Sequence, residues 1–242
     1  MPNRPTIGLC AVTLVMLSGL GACNNDNNGT NPPAQANVRV INASSNTTAL
    51  NATAGSQSLS SGLNFQNTNA VASCAKVNAG SQTINFTSGS SSTNIGSVTY
   101  NFQAGQNYTV VFYGSNNAVV YPETFTAPGT GNMALRFINA TATAGDIFLT
   151  TPTGTISGSP TISNLAAGQV SGFNSSTAPG GTFVNTYPVA NTRVRLFNVG
   201  VTTGTPRADF TIGTMGTNRV GTVVLTTSSG TGGATGFLVN SC

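Results

Sequence analysis

Val38-Arg39-Val40-Ile41-Asn42-Ala43-Ser44 is the stretch on which the fold turns. Valine and isoleucine crowd it, no 3.6-residue apolar period runs through it, and Ser, Asn and Thr follow at once as turn formers. It therefore reads as a short β-strand. The same pattern returns as Leu135-Arg136-Phe137-Ile138-Asn139-Ala140-Thr141. Two further echoes keep the order of the chain. Ser61-Gly62-Leu63-Asn64 returns as Ser171-Gly172-Phe173-Asn174, and Thr109-Val110-Val111 as Thr222-Val223-Val224. Three matches in ascending order predict a duplicated unit, with the turn-rich residues 150–165 as the main insertion in the second copy.

Outward from these anchors, the fragments SVTYNF, YTVVFY and AVVYPETF in the first half read as strands, as do RVRLFNV, ADFTI and VGTVVL in the second. Gly, Asn and Ser punctuate them. Strands of this length and spacing predict an all-β protein of two tandem immunoglobulin-like antiparallel β-sandwich domains, residues 38–128 and 129–242. Ala104-Gly105-Gln106-Asn107-Tyr108 reads as a turn followed by a tyrosine whose hydroxyl ties back to the backbone.

Composition narrows the function. Only 5% of residues are charged, against about 25% in ordinary globular proteins. Polarity comes instead from Ser, Thr, Asn and Gly, and mean hydropathy is +0.07. The formal charge of +4 comes from scattered arginines, with only Arg193 and Arg195 on one strand face. No basic groove forms, and nucleic acid is not a partner. There is no His, and the four acids, Asp26, Glu123, Asp146 and Asp209, stand far apart in sequence. General acid–base catalysis and zinc binding lack their usual groups. The expectation is no catalytic residue, no metal, no cofactor and no enzyme.

Ser73-Cys74-Ala75-Lys76 has the S-x-x-K spacing of penicillin-recognising enzymes, but it lies in the strand-like run AVASCAKV, and no S-D-N or K-T-G companion exists. Gly230, Gly232, Gly233 and Gly236 precede strand-like residues and read as a hairpin loop rather than a phosphate cradle.

The N-terminus has the three parts of an export signal: Arg4, the uncharged apolar run Ile7 to Leu20, and Leu20-Gly21-Ala22-Cys23. The last four residues resemble the bacterial lipobox. That resemblance makes residues 1–22 a lipoprotein signal peptide cleaved between Ala22 and Cys23, with Cys23 acylated and holding the chain to a membrane. Residues 23–37 contain no large apolar side chain and read as a flexible tether. The EF-hand-like spacing of Asn24, Asp26, Asn28 and Gly29 lacks both the closing Glu and flanking helices. Asn24 after the lipidated Cys, by resemblance to enterobacterial lipoproteins, points to the outer membrane.

With a lipobox, a tether and V-R-V-x-N-A-S at Val38 to Ser44, the chain resembles a family of secreted bacterial domains of unknown function. Their domains open V-R-V-x-[HN]-A-S-P and later carry A-G-x-Y-x-V-x-V-x-G, which corresponds to Ala104 to Gly114. The family's acidic stretch after the opening is replaced by Ser45-Asn46-Thr47-Thr48. The resemblance implies a β-sandwich at the cell envelope and no established activity. The expected role is structural or interactive, with an envelope protein or a glycan as partner. The alternative is an adhesin or carbohydrate- or matrix-binding module.

Two cysteines remain in the mature body. Cys74 and Cys242 would meet an oxidising compartment after export, and they are candidates for a disulfide. Chain entropy assigns so long a loop a benefit of about 4–5 kcal/mol. A buried free Cys74 with an exposed Cys242 is the alternative.

Overall fold

The computed structural model describes residues 32–68, 74–125, 132–171, 185–188, 192–213, 219–228 and 233–242. The signal sequence, Ala22, Cys23 and most of the tether lie outside them, as does Ser73. Every regular element among the described residues is a strand.

In the first half, β1 (Gln35–Ala43), β4 (Asn67–Thr68), β5 (Ala75–Asn78), β8 (Asn107–Tyr113) and β9 (Asn117–Pro122) form one sheet, in the order β4-β1-β8-β9, with β5 also on β1. β2 (Leu50–Ala54), β3 (Gln57–Leu63), β6 (Gly80–Ser88) and β7 (Asn94–Phe102) form the facing sheet, in the order β3-β2-β6-β7. In the second half, β10 (Asn132–Ala140), β13 (Asn185–Pro188), β16 (Arg219–Thr227) and β17 (Ala234–Asn240) form a sheet in the order β13-β10-β16-β17. β11 (Gly145–Thr150), β12 (Ile162–Leu165), β14 (Thr192–Phe197) and β15 (Ala208–Ile212) form its partner, in the order β12-β11-β14-β15. The second half thus traces the strand path of the first. All pairings are antiparallel except β1 with β8 and β10 with β16, which run parallel. β1 starts at Gln35, within the stretch read as tether, because β5 extends the ladder there through Gln35↔Asn78.

Alternation places one face of each sheet in a sandwich core. Val38, Val40, Val110 and Phe112 meet Leu50, Ile84 and Phe86 in the first. Leu135, Phe137 and Val223 meet Ile147, Val194 and Leu196 in the second. The opposite faces of β1, β8, β10 and β16 are not solvated. Ile41, Ala43, Val111 and Tyr121 pack with Ile138, Ala140, Val224 and Val239 in a third core. That is the physical reason for the apolar runs in VRVIN and GTVVL: a strand covered on both faces has no polar side to show. The sheets stack in four layers, with the two parallel-paired sheets inside, and Pro33–Cys242 form one compact unit.

The asparagine of the repeated motif has a local job. Asn42 Nδ2 donates to the carbonyls of Thr47 and Leu63 at 2.9 Å each, and its Oδ1 accepts from Ser44 N at 3.0 Å. Asn139 donates to Thr143 O at 2.9 Å and Leu165 O at 2.7 Å, and accepts from Thr141 N at 3.0 Å. Each amide staples the end of an inner strand to the following turn and to the end of a strand in the facing sheet. Both are fully buried. Tyr108 OH accepts from Gln103 N at 2.9 Å, closing the turn before β8.

Candidate functional site

The residues that carry chemistry are few, and their placement can be followed one by one. Cys74 and Cys242 are joined in a disulfide with a Cα separation of 5.9 Å, inside the range that a bridge requires. It ties the beginning of β5, in the first sandwich, to the residues beyond β17 in the second. Lys76 stands exposed on β5, and its Nζ donates to Asn37 Oδ1. The S-x-x-K residues that are described therefore belong to a strand and a disulfide, not to a helix. Gly230 and Gly232 lie outside the described residues; the strands on either side, β16 and β17, pair antiparallel, with Thr227 opposite Ala234. Gly236 faces the Phe210 ring, with which a Cβ would clash, so close ring packing accounts for that glycine. Phe102, Tyr108, Phe112 and Phe137 are all core residues.

The three described carboxylates all act as acceptors within the fold. Asp146, buried at the start of β11, accepts from Asn164 N and from Gly200 N, both at 2.7 Å. Asp209 on β15 forms a bidentate pair with Arg193 on β14, at 2.6 Å to Nε and 2.5 Å to Nη2. The Arg193 bond, with smaller help from charge, holds the Asp209 pKa below the ordinary carboxylate value. Arg193 and Arg195 also reach the carbonyls of Pro152 and Gly154, at 3.2 and 2.6 Å. They pin the inserted loop against the outer face of the second sandwich. The shared strand face of these two arginines thus serves one acid and one loop.

Glu123 is the third carboxylate, and it lies in the seam between the two inner sheets. Its Oε1 accepts from the Thr109 hydroxyl and, at 3.4 Å, from Arg136 Nη2. Its Oε2 accepts from Cys242 N at 2.8 Å. Arg136 is fully buried and also donates from Nε to Thr222 Oγ1, from Nη1 to Pro122 O and from Nη2 to Thr109 Oγ1, at 2.8–3.0 Å. Burial lowers the Arg136 pKa, with Glu123 and then Tyr121 opposing the shift. Tyr121 packs against this guanidinium, at 6.0 Å from ring centroid to Cζ, and donates to Gly168 O at 2.8 Å. Burial raises the phenol's pKa well above its usual value.

Sequence reasoning passed over this network. Its signal was an arginine at the same place in both copies of the motif, in a chain that carries very little charge. Among the described residues, no three of His, Cys, Asp and Glu come together as metal ligands would.

Residues 36–150 match the family described as Domain of unknown function (DUF4397), so a domain of that kind is found there. The match runs from β1 through β11. No curated protein matches the chain. Among solved structures, CBMbc of Eubacterium rectale Amy13K, a family CBM26 domain in complex with maltoheptaose, aligns at 10% identity. That alignment covers 86% of this chain and 97% of that one, with a TM-score of 0.23.

Proposed function

We propose that this chain is a lipid-anchored protein of the bacterial cell envelope whose body acts without catalysis, as a rigid double sandwich that presents its outer surfaces to a partner. The observation that carries the non-enzymatic reading is the engagement of every described carboxylate. Glu123, Asp146 and Asp209 each accept from arginine, hydroxyl or backbone N–H groups of the fold. In a chain without histidine, no acid–base pair among the described residues is left facing a substrate. The lipobox at Leu20 to Cys23 supports the anchor, and its lipid chains would hold the body at the outer membrane. The shared strand path of the two halves supports reading them as two copies of one family domain, the first at 38–128 and the second at 129–242.

A glycan-binding module is the second reading. It is favoured by the outer face of the β3-β2-β6-β7 sheet, where Asn85, Asn94, Thr83 and Thr99 form an uncharged amide and hydroxyl surface. A glycan array probed with the tether-free body separates the two readings. The anchor is tested by metabolic labelling with a fatty-acid analogue. Wild type takes up label, and Cys23→Ser does not and accumulates as precursor. Equal labelling of both overturns the envelope-anchor reading. Labelling of the body by a β-lactam probe, lost in Lys76→Ala, overturns the non-enzymatic one.

A further inference from the structure

The Cys74–Cys242 bond lies at the surface, with Cys74 half-buried and Cys242 exposed. It joins the residue before β5, in the first sandwich, to the short segment that follows β17 in the second. That segment, Ser241 and Cys242, reaches the Glu123 end of the seam. Cys242 N donates to Glu123 Oε2 at 2.8 Å, and Cys242 Sγ stands 4.0 Å from Tyr108 O. The residue that carries the accessible bond thus also carries one of the three donors on a carboxylate that is fully buried with Arg136.

Little else holds the segment in place. Ser241 N–H reaches Val220 O at 3.3 Å, a long hydrogen bond. The Ser241 hydroxyl is buried and meets no partner among the described residues, which costs free energy for as long as the segment stays down. The disulfide therefore keeps the segment closed against a cost. The seam, in turn, depends on the carboxylate beneath it. Arg39 and Arg136 are both buried, at 2% and 0% exposure. Burial lowers both of their pKa values, and Glu123 opposes the shift in each. Two buried guanidinium groups lean on one carboxylate, so a change in its surroundings reaches both.

We propose that the Cys74–Cys242 bond is a redox latch on the seam. A dithiol attacks one sulfur as its thiolate and displaces the other. Its second thiol then resolves the mixed disulfide. The dithiol leaves as a disulfide, and its two electrons and two protons pass to Cys74 and Cys242, which become thiols. Ser241 and Cys242 then lift from Glu123. The Ser241 hydroxyl and the Glu123 carboxylate gain water, and the contact between the sandwiches loosens at this end. Each sandwich keeps its own core, because neither core contains the two cysteines.

The test is hydrogen exchange of the protein with and without dithiothreitol, in the absence of denaturant, beside alkylation with iodoacetamide read by mass spectrometry. Dithiothreitol reduces the bond in the folded protein, and both cysteines take up the alkyl group. Peptides over β9 and β17 then exchange about tenfold faster. Peptides over β2 and β11, in the two outer sheets, keep their rates, and oxidised glutathione restores the slow exchange. Cys242→Ser exchanges fast at β9 and β17 with or without dithiothreitol. Should that variant fail to fold, reduction of the wild type decides alone. A bond that resists dithiothreitol until the protein is denatured overturns the proposal. So does a reduced protein whose β9 and β17 exchange is unchanged, or one in which all four sheets lose protection together.

Discussion

Removing the Glu123 carboxylate is the sharpest perturbation of the fold that the structure offers. Its side chain is fully buried with that of Arg136, and three donors converge on it: Thr109 Oγ1, Arg136 Nη2 and Cys242 N. Glu123→Ala leaves a buried guanidinium without its counter-charge, and the Cys242 N–H without an acceptor. Breaking one side of a buried pair costs about 3–5 kcal/mol, and the orphaned N–H adds about 1–3 kcal/mol where water cannot replace the oxygen. Arg136 keeps Thr222 Oγ1, Pro122 O and Thr109 Oγ1, so the total belongs near the lower end, about 4 kcal/mol. Urea unfolding at neutral pH measures it. The double variant Glu123→Leu with Arg136→Met removes both charges, and is expected to lose clearly less than Glu123→Ala. A Glu123→Ala loss below about 1 kcal/mol, or strict additivity of the two single changes in the double variant, refutes the reasoning.

Other perturbations read other parts of the framework. Asn42→Asp keeps the shape of the staple but turns a carboxylate toward the carbonyls of Thr47 and Leu63. It is expected to destabilise at least as much as Asn42→Ala, whose own loss is about 2–3 kcal/mol in chemical denaturation. Reduction, or Cys74→Ser, opens a loop of sequence separation 168, and the urea midpoint should fall by the equivalent of about 5 kcal/mol in the chain-entropy account. Tyr121 supplies an alkaline limb. Its phenol is held protonated in the fold by burial, while the unfolded group ionises near the usual 10.0. Its contribution is therefore complete below that pH and declines above it. Tyr121→Phe should flatten the decline in a pH series of thermal midpoints, at a fixed loss of about 1 kcal/mol for the bond to Gly168.

Much of this fold was legible in the sequence. The strand reading of VRVINA and LRFINA, the late YTVVFY strand and the tyrosine before it all rest on local patterns, and local patterns decide strands. The apolar runs in VRVIN and GTVVL carried a further message, burial on both faces. A short apolar run does not name what covers its second face, so the seam between the inner sheets did not emerge. The same holds for Arg39 and Arg136. Matching arginines in two copies of a motif are visible in the chain, but their burial against Glu123 depends on two sheets stacking back to back. The parallel pairing of β1 with β8 was equally hidden, because strands nearly seventy residues apart are joined by topology rather than by any turn signal between them. The cysteines stood out by elimination, whereas the carboxylates, far apart in sequence, revealed nothing of the three separate frameworks that they hold.

Pro33–Cys242 behaves as one body, held across the seam by the Glu123–Arg136 pair and the Cys74–Cys242 disulfide. Native-state hydrogen exchange by mass spectrometry tests it most directly, by comparing peptides over β8 in the first sandwich with peptides over β16 in the second. Both are expected to exchange through the same global opening, with equal free energies that fall together in Glu123→Ala. A second sandwich that opens on its own at lower free energy, unmoved by Glu123→Ala, would contradict it.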